Sequence, residues 1–242
     1  MKVLVFSDIH ANLSALSAVI EAAGKVDAYW CLGDLVGYGP DPNECIELIK
    51  DLPNLVCILG NHDAAALDFI DIGIFNHDAR RSAEWTKEQL SPSNKLFLSH
   101  LEDSYTNEIA MMVHGSPKNH IWEYLLDPYI AASNFEHFST HLCFVGHTHI
   151  PACCYDSIIN DVPQWQFLYE NDKPNLETRA ILNPGSVGQP RDRDPRASFA
   201  IFDSGSHVWE QRRVEYDVFS VQERIINSGL PTNHALRLLD GW

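Results

Sequence analysis

Short apolar runs recur along the chain before Pro151, and each ends at a glycine or a polar residue. Such runs are typical of strands that are buried on both faces of a sheet. The segments between them, Leu13–Ala23 and Asn43–Asp51, carry apolar residues at helical spacing. Alternating strands and helices predict an α/β architecture in which these runs form one sheet. The five runs are Val3–Phe6, Ala28–Leu32, Leu55–Leu59, Ile109–Val113 and Leu142–Val145.

After Pro151 the pattern changes to strands that are separated by loops, with no long helix between them. This pattern predicts a second, largely antiparallel sheet. Val218–Asn227 and His234–Leu239 return to a helical period, and we expect these two helices to cover the second sheet. The later strands are predicted at Ala152–Ser157, Gln164–Tyr169, Ala180–Leu182, Phe199–Phe202 and Val208–Tyr216.

The fold prediction is a single domain over residues 1–242 with two facing mixed β-sheets flanked by helices. This is a four-layer α/β/β/α sandwich. No internal repeat, low-complexity tract or linker divides the chain. With 242 residues and 45% apolar side chains, the chain can bury a full core.

The composition predicts a cytoplasmic protein that does not enter a membrane. No apolar stretch approaches the ~20 residues that cross a bilayer, and Met1-Lys2 leads directly into a strand rather than a signal peptide. The six cysteines show no C-x-x-C pairing, so reduced buried thiols are favoured over disulfides or a zinc cluster. The net charge of −16 makes tight nucleic-acid binding unlikely. The sequence does not indicate an oligomeric state.

Polar motifs follow each of the five early apolar runs directly. The carboxyl ends of strands are where open α/β sheets form their ligand crevice, so we expect these motifs to converge. One such motif would arise by chance in many chains, whereas five in the same position relative to strands would not. Their glycines are expected to let the backbone turn sharply. The motifs are Asp8-Ile9-His10, Gly33-Asp34-Leu35-Val36-Gly37, Gly60-Asn61-His62-Asp63, His114-Gly115 and Gly146-His147-Thr148-His149.

The side chains of these motifs predict a metal site with oxygen and nitrogen ligands. Carboxylates, an amide oxygen and imidazoles suit manganese, iron, zinc or magnesium, and no thiolate is present to select a soft metal. The order D-x-H, G-D, G-N-H-D, H-G, G-H-T-H resembles the calcineurin-like metallophosphoesterase superfamily from residue 3 to about residue 150. The stretch Asn183–Arg191 resembles the small bacterial phosphodiesterases and phosphatases of that superfamily and extends the match to about residue 203.

The resemblance implies two divalent metal ions with a hydroxide bridging them as the nucleophile. Asp34 would bridge the two ions, and a shared carboxylate is compatible with the ~3.5–4 Å separation of two-metal sites. The implied ligands are Asp8, His10, Asp34 and His149 for one ion, and Asp34, Asn61, His114 and His147 for the other.

His62 is the motif histidine left without a ligand role. We expect it to protonate the leaving oxygen or to stabilise its charge, and the neighbouring Asp63 to orient its ring. Arg191 and Arg193 are candidates for binding the substrate phosphate, because a guanidinium matches phosphate oxygens, although solvated loop charges are an equal alternative. Arg196 is a weaker candidate because it leads into a strand.

The remaining aromatic and histidine residues are predicted to be structural. Tyr38 and Tyr124 follow motif loops and could line a pocket, but packing is the preferred interpretation. Among the other histidines, His120 is the first candidate for a role at the site, because it lies just past the His114 loop. These histidines are His77, His100, His120, His137, His141, His207 and His234.

The predicted function is metal-dependent hydrolysis of a small phosphorylated substrate, with diesters and monoesters both open. The alternatives are a serine/threonine protein phosphatase and a dinucleoside polyphosphate hydrolase. A nuclease is less compatible with the acidic charge. A non-catalytic scaffold is less compatible with the complete motif set. Specificity is expected to come from the loops at 35–42, 64–81, 116–127 and 189–196.

Overall fold

The computed structural model of the protein describes residues 1–159 and 162–242. The strands are β1 (Lys2–Phe6), β2 (Ala28–Cys31), β3 (Leu55–Cys57), β4 (Ser104–Thr106), β5 (Ala110–Val113), β6 (Leu142–Phe144), β7 (Ala152–Ile159), β8 (Val162–Phe167), β9 (Ala180–Asn183), β10 (Ala197–Asp203) and β11 (Val208–Val214). The α-helices are α1 (Leu13–Ala23), α2 (Pro42–Lys50), α3 (Asn61–Ala66), α4 (His77–Gln89), α5 (Pro92–Ser99), α6 (Pro128–Ser133), α7 (Val218–Asn227) and α8 (Thr232–Asp240). Short 3₁₀ turns lie at Ile72–Ile74 and Asn134–His137.

The strands form two mixed sheets. The first has the order β11-β10-β1-β2-β3, in which β1, β2 and β3 are parallel and β10 and β11 are antiparallel to their neighbours. The second has the order β4-β5-β6-β9-β7-β8, in which β5, β6 and β9 are parallel. In this sheet β4, β7 and β8 pair in the antiparallel direction.

The predicted division of the chain at Pro151 is wrong, because the two sheets exchange strands. β5 and β6, which were expected in the same sheet as β1, lie in the second sheet, and β10 and β11 return to the first. The apolar runs identify strands correctly, but the pairing partner of a strand depends on contacts between distant parts of the chain. The helices α3 to α5, which follow β3, carry the chain from one sheet to the other.

The two sheets face each other across an apolar layer, and helices cover their outer faces. Residues alternate along β1, so that Val3 and Val5 face the second sheet while Leu4 and Phe6 face the helices. The outer face of the first sheet packs on α1, α2 and α5, and that of the second sheet on α6. The predicted four-layer α/β/β/α sandwich is confirmed.

The C-terminal helices do not cover the second sheet, which is the reverse of the expectation. α7 and α8 form an apolar cluster of their own that packs against Trp85 of α4 and Tyr216. Arg224 of α7 pairs with Asp41 at 2.9 Å and donates to Ser14 at 3.0 Å, both on the outer side of the first sheet. The amphipathic pattern of α7 and α8 requires an apolar partner but does not specify which one.

Local chemistry accounts for the helix ends. The Asn12 side chain accepts a hydrogen bond from the Ala15 amide and caps α1, which ends before Gly24, a residue with a φ of 63°. Asp217 caps α7 by accepting from the Ser220 amide. Within residues 1–159 and 162–242, no helix has both the length and the apolar character needed to span a membrane.

Candidate metal centre

The motif residues converge at one edge of the sandwich, where the carboxyl ends of strands from both sheets meet. Asp8 and Asp34 follow β1 and β2 of the first sheet, whereas His114 and His147 follow β5 and β6 of the second. Asn61 opens α3, just after β3. The Gly146 amide donates to the His114 carbonyl at 2.9 Å and ties two of the motif loops together. All seven predicted metal ligands are buried.

Asp8, His10 and His149 form the first group of converging atoms. Oδ1 of Asp8 lies 3.3 Å from Nε2 of His149. That nitrogen lies 3.0 Å from Nε2 of His10. Both Asp8 oxygens accept the amide of His147, which holds the carboxylate in place.

Asp34, Asn61, His114 and His147 form the second group. Nε2 of His114 lies 3.2 Å from Oδ2 of Asp34 and 3.0 Å from Oδ1 of Asn61. Ligand atoms of Asp34, His114 and His147 all lie within 4.8 Å of one another. Oδ2 of Asp34 also lies 3.7 Å from Nε2 of His10, so this carboxylate faces both groups.

The histidine rings are oriented from behind by backbone carbonyl groups. Nδ1 of His10 donates to the Val36 carbonyl at 3.1 Å, Nδ1 of His114 to Leu32 at 2.8 Å and Nδ1 of His149 to Gln189 at 2.6 Å. A proton on Nδ1 leaves Nε2 with a free lone pair. The facing Nε2 lone pairs of His10 and His149 repel each other unless a cation lies between them, and this arrangement is typical of metal-ligating histidines.

The two buried carboxylates attract positive charge to the centre. Burial lowers the pKa of His114, but Asp34 and Asp8 outweigh burial and raise this pKa to about 10. In the described residues, Oδ2 of Asp34 and Nε2 of His147 are buried without a hydrogen-bond partner. Divalent cations would satisfy both the charge and these unpaired atoms, so the donor set fits a metal centre.

The backbone of the ligand residues is strained. Left-handed conformations are uncommon outside glycine, and at functional sites they persist because the surrounding structure enforces them. Several left-handed residues lie close together here, which indicates that the surrounding structure holds these loops in a geometry that directs their side chains to one point. Asp8, His10, Asp34, His147 and His149 have φ angles between 48° and 64°.

Several of the motif glycines are required by close packing. Gly60, Gly115 and Gly146 do not have positive φ angles, in contrast to the expected sharp turns. A Cβ atom on Gly60 would overlap the Asp34 carboxylate, and one on Gly146 would overlap the Ser7 hydroxyl. Gly33 does turn, with a φ of 90°.

The stretch from Asn183 to Gln189 supports the Asp8 loop. The Ser186 hydroxyl and the Gly188 amide both donate to the Asp8 carbonyl, at 2.8 and 2.9 Å. Asn183 donates to the Gly146 carbonyl at 2.6 Å. This stretch therefore links the motif loops of the two sheets rather than supplying ligands by its side chains.

His62 lies beside the metal ligands, but Asp63 does not contact its ring. The His62 and His10 ring centroids are 4.9 Å apart, and Nδ1 of His62 has no partner in the described part of the chain. Burial lowers the pKa of His62 to about 4, although Asp34 opposes this shift. The Asp63 carboxylate instead accepts the amides of Leu35, Val36 and Gly60, at 2.9 to 3.1 Å, and so connects the second and third motif loops.

The three arginines of the 191–196 loop have different surroundings. Nη2 of Arg191 lies 3.4 Å from the Tyr38 hydroxyl, beside the centre. Arg193 is exposed, and its guanidinium lies 3.5 Å from the centroid of the Trp242 ring. Arg196 pairs with Asp194 and Glu170, each at 2.7 Å.

Both tyrosines contact the site, although packing was the preferred interpretation for them. The Tyr38 ring centroid lies 4.6 Å from that of His10 and 4.3 Å from that of His62. Tyr124 stacks on His147 at 3.8 Å. Their positions after motif loops were the available sequence signal. His120 instead pairs with Asp103 at 3.1 Å.

His234 of α8 also reaches the site and was not predicted to do so. Its ring centroid lies 4.7 Å from that of Tyr38. It is 2% exposed, and its Nε2 lies 3.3 Å from the Asp78 carbonyl. No motif or spacing in the sequence connects this helix with the ligand loops, so the contact follows only from the docking of α8.

Comparison with known proteins finds relatives that match nearly the whole chain. An uncharacterized protein of Methanocaldococcus jannaschii is 38% identical over 237 residues, which cover 95% of this chain and 93% of that protein. The crystal structure of a metallophosphoesterase from Sphaerobacter thermophilus is 42% identical, has a TM-score of 0.92 and matches 100% of both chains. A symmetrical bis(5'-nucleosyl)-tetraphosphatase of Pseudomonas entomophila is 36% identical over 67 residues, which cover 26% of this chain and 24% of that protein.

The family comparison covers most of the chain. Residues 1–207 match the family model of the calcineurin-like phosphoesterase superfamily domain. This family consists of metal-dependent phosphoesterases, and the clustered Asp and His residues that could hold metal lie inside the matched range. The family that the order of the motifs indicated is thereby confirmed. The chain belongs to the calcineurin-like phosphoesterase superfamily.

Proposed function

We propose that this protein is a dinuclear-metal-dependent hydrolase of small phosphate esters, acting as a single domain. The observation that carries the proposal is the position of Asp34. Its Oδ2 faces both ligand groups, at 3.2 Å from Nε2 of His114 and 3.7 Å from Nε2 of His10. A carboxylate in this position can hold two cations.

Under this proposal the seven ligands divide into two sets around Asp34. When bound, the cations lower the pKa of a coordinated water to about 7 and neutralise the phosphoryl oxygens. The ligands accept manganese, iron, zinc or magnesium, so metal availability would decide the occupant. The first set is Asp8, His10 and His149, and the second is Asn61, His114 and His147.

His62 is proposed to act on the leaving oxygen. Its ring lies next to His10 and is walled by Tyr38 and Phe75, with centroid distances of 4.3 and 4.9 Å, so bulk water is kept away from it. A neutral imidazole retains one N–H that can hydrogen-bond to the leaving oxygen. A phosphate dianion beside the ring also favours its protonated form, which could then transfer the proton.

Arg191 is proposed to bind the phosphoryl group that reacts. It is half-buried, its Nη2 donates to Oε1 of Gln189 at 3.1 Å, and its buried Nε has no partner in the described residues. Arg193 stacks on Trp242 at the surface, so its expected role in substrate binding rests on sequence position alone.

The test is hydrolysis of bis(p-nitrophenyl) phosphate and p-nitrophenyl phosphate by manganese-loaded protein. We expect turnover of at least one compound, and the ratio of the two values of kcat/KM measures the preference for diesters over monoesters. Addition of a chelator should abolish turnover, and restored manganese should recover it. Absence of turnover of both compounds by fully loaded protein would favour a binding role instead.

Cleavage of a dinucleoside polyphosphate is a second candidate. It is supported by the partial match with symmetrical bis(5'-nucleosyl)-tetraphosphatase, which covers 26% of this chain. Chromatography of the products from diadenosine tetraphosphate tests it directly. A kcat/KM for this compound above that for either p-nitrophenyl ester would select this function, and a lower value would exclude it as the preferred reaction.

A further inference from the structure

The ring of His62 is oriented by packing. Three of the proposed ligand histidines are each oriented by a backbone carbonyl, whereas Nδ1 of His62 is buried without a partner in the described residues. Tyr38 and Phe75 pack on the His62 ring, with centroid distances of 4.3 and 4.9 Å. A Cβ atom on Gly37 would overlap this ring, so the glycine leaves space for it. The direction in which His62 presents its nitrogens therefore depends on the positions of the surrounding rings.

The Tyr38 ring is itself weakly fixed by its own loop. Its residue has a φ of 59°, in the left-handed region. The Tyr38 amide donates to the Ser82 hydroxyl at 2.6 Å, which fixes the main chain but not the ring. The contact of its hydroxyl with Nη2 of Arg191 is long, at 3.4 Å. The orientation of this ring therefore depends on the side chains that pack against it.

His234 supplies one of those packing contacts from the C-terminal helix α8. Its ring centroid lies 4.7 Å from that of Tyr38. Among the ring contacts of residues 1–159 and 162–242, His234 packs on Tyr38 alone. Any effect of the His234 ring on His62 must therefore pass through Tyr38.

Helix α8 holds the His234 ring in a fixed position. The ring is 2% exposed, and its Nε2 donates to the Asp78 carbonyl at 3.3 Å. The adjacent Asn233 donates to the Asp78 carboxylate at 2.7 Å, so two bonds join α8 to the start of α4. Gln222 of α7 donates to the Ala235 carbonyl at 2.7 Å. Contacts with two helices therefore make His234 a firm support for the ring in front of it.

A cleft lies next to this contact and would receive the Tyr38 ring if the support were removed. The cleft has a volume of about 410 Å³ and is lined by Tyr38 and His234, together with Asn76 and Arg237. A shorter side chain at position 234 would enlarge it, and neighbouring groups relax partly into such a space. Tilting of the Tyr38 ring toward the cleft would withdraw a packing contact from His62.

We propose that His234 is a positioning residue of the active site, which fixes the orientation of His62 through the Tyr38 ring. This inference rests on the proposed function, because His62 is the group proposed to act on the leaving oxygen. Misplacement of a reacting group by roughly 1 Å can lower a rate by about 10²-fold, even when its cause lies outside the chemistry. α8 lies beyond residue 207, where the family match ends, so this support comes from outside the matched range.

The first test is a double-mutant cycle, measured with a phenyl phosphate ester because its leaving group is poorer than p-nitrophenol. His234→Ala should lower kcat by about 10-fold or more, with KM within about twofold of the parent value and metal content unchanged. In protein that already carries His62→Ala, the same substitution should change kcat by less than about twofold. An equal loss of kcat in both backgrounds would show that His234 does not act through His62, and would overturn the inference.

Three further variants identify the cause of the change. His234→Phe retains a ring against Tyr38 and should recover most of kcat. Leu236→Ala removes an exposed side chain from the same helix and should leave kcat unchanged, as the matched control. Tyr38→Leu removes the intervening ring without altering α8 and should repeat the pattern of His234→Ala, which keeps the test available if His234→Ala does not fold. No loss of kcat in Tyr38→Leu would overturn the inference.

The second test does not depend on turnover. The Hε1 resonance of His62, identified by its absence in His62→Ala, is recorded by NMR without metal and with diamagnetic zinc. His234→Ala should shift this resonance, because the Tyr38 ring changes its orientation, and Leu236→Ala should not. An unmoved resonance in His234→Ala would overturn the inference. Failure of the parent protein to hydrolyse any ester would instead count against the proposed function alone.

Discussion

The layer between the two sheets and the edge that carries the proposed metal ligands differ in how their residues are stabilised. In the layer, the large apolar and aromatic side chains of Val5, Trp30, Phe144 and Phe202 pack together, and the strands that carry them have regular backbone. At the edge, a few residues from the same strands, the chain buries aspartates and histidines on strained backbone. Packing holds the first region together, whereas the second requires a ligand to compensate its charge.

This difference indicates that the edge with the proposed metal ligands contributes less to folding stability than the apolar layer does. A left-handed conformation costs a non-glycine residue roughly 1–2 kcal/mol, and five ligand residues adopt it. Substitutions at the edge should therefore remove metal and activity with little loss of folding stability. Substitutions in the layer should do the reverse, which makes the comparison testable.

The largest effect is expected from Asp34→Asn, which keeps the shape of the side chain and removes its charge. Both ligand groups face Asp34, so metal content should fall, and kcat/KM should drop by more than the roughly 10–100-fold typical of a residue behind the ligands. Thermal unfolding in chelator should show unchanged or higher stability. Elemental analysis and turnover check the result, with Glu88→Gln on exposed surface as the control. Full metal content in Asp34→Asn would contradict the bridging role.

The second effect is expected from His62→Ala. The ring lies beside the metal ligands and is not assigned to hold metal, so kcat should fall by about 10²–10⁴-fold while metal content stays at the parent value. A substrate with a better leaving group should narrow the difference, because it needs less help at the leaving oxygen. Loss of metal would make His62 a ligand, and unchanged kcat would remove it from the mechanism.

The third effect belongs to the apolar layer. Phe202 is fully buried, and its ring centroid lies 5.3 Å from that of Phe144 and 6.2 Å from that of Trp30. Phe202→Ala should lower the free energy of unfolding by about 3–5 kcal/mol, through lost burial and the cavity it leaves. Urea unfolding measures this, and the exposed Phe219→Ala is the matched control. The folded fraction should keep its metal and its kcat; loss of either would show that the two regions are coupled.

The sequence predicts the two regions unequally well. Periodicity within a segment is local, and α1 and α7 begin and end at the predicted residues. Strand pairing is not local, so β10 and β11 were expected in the wrong sheet. At the metal centre, the motif residues converge as expected because each follows the carboxyl end of a strand.

The contacts that sequence could not provide join residues far apart in the chain. Asp63 was expected to orient His62, yet its oxygens accept amides of Leu35 and Val36, which precede it by 28 and 27 positions. The positions of His234 and Arg237 depend on how α8 docks against α4. An amphipathic pattern identifies a buried face but not the surface that it meets.

The smallest effect is expected from Tyr38→Phe, which should change substrate binding but not the rate of the reaction. Tyr38→Phe removes only the hydroxyl, whose contact with Nη2 of Arg191 is long, at 3.4 Å, while the ring keeps its packing on His10 and His62. Loss of one weak hydrogen bond should raise KM by about two- to fivefold. Metal content and kcat should not change. Steady-state kinetics on a p-nitrophenyl ester measure both parameters. If kcat instead fell as far as in His62→Ala, the Tyr38 hydroxyl would act on the reacting group itself.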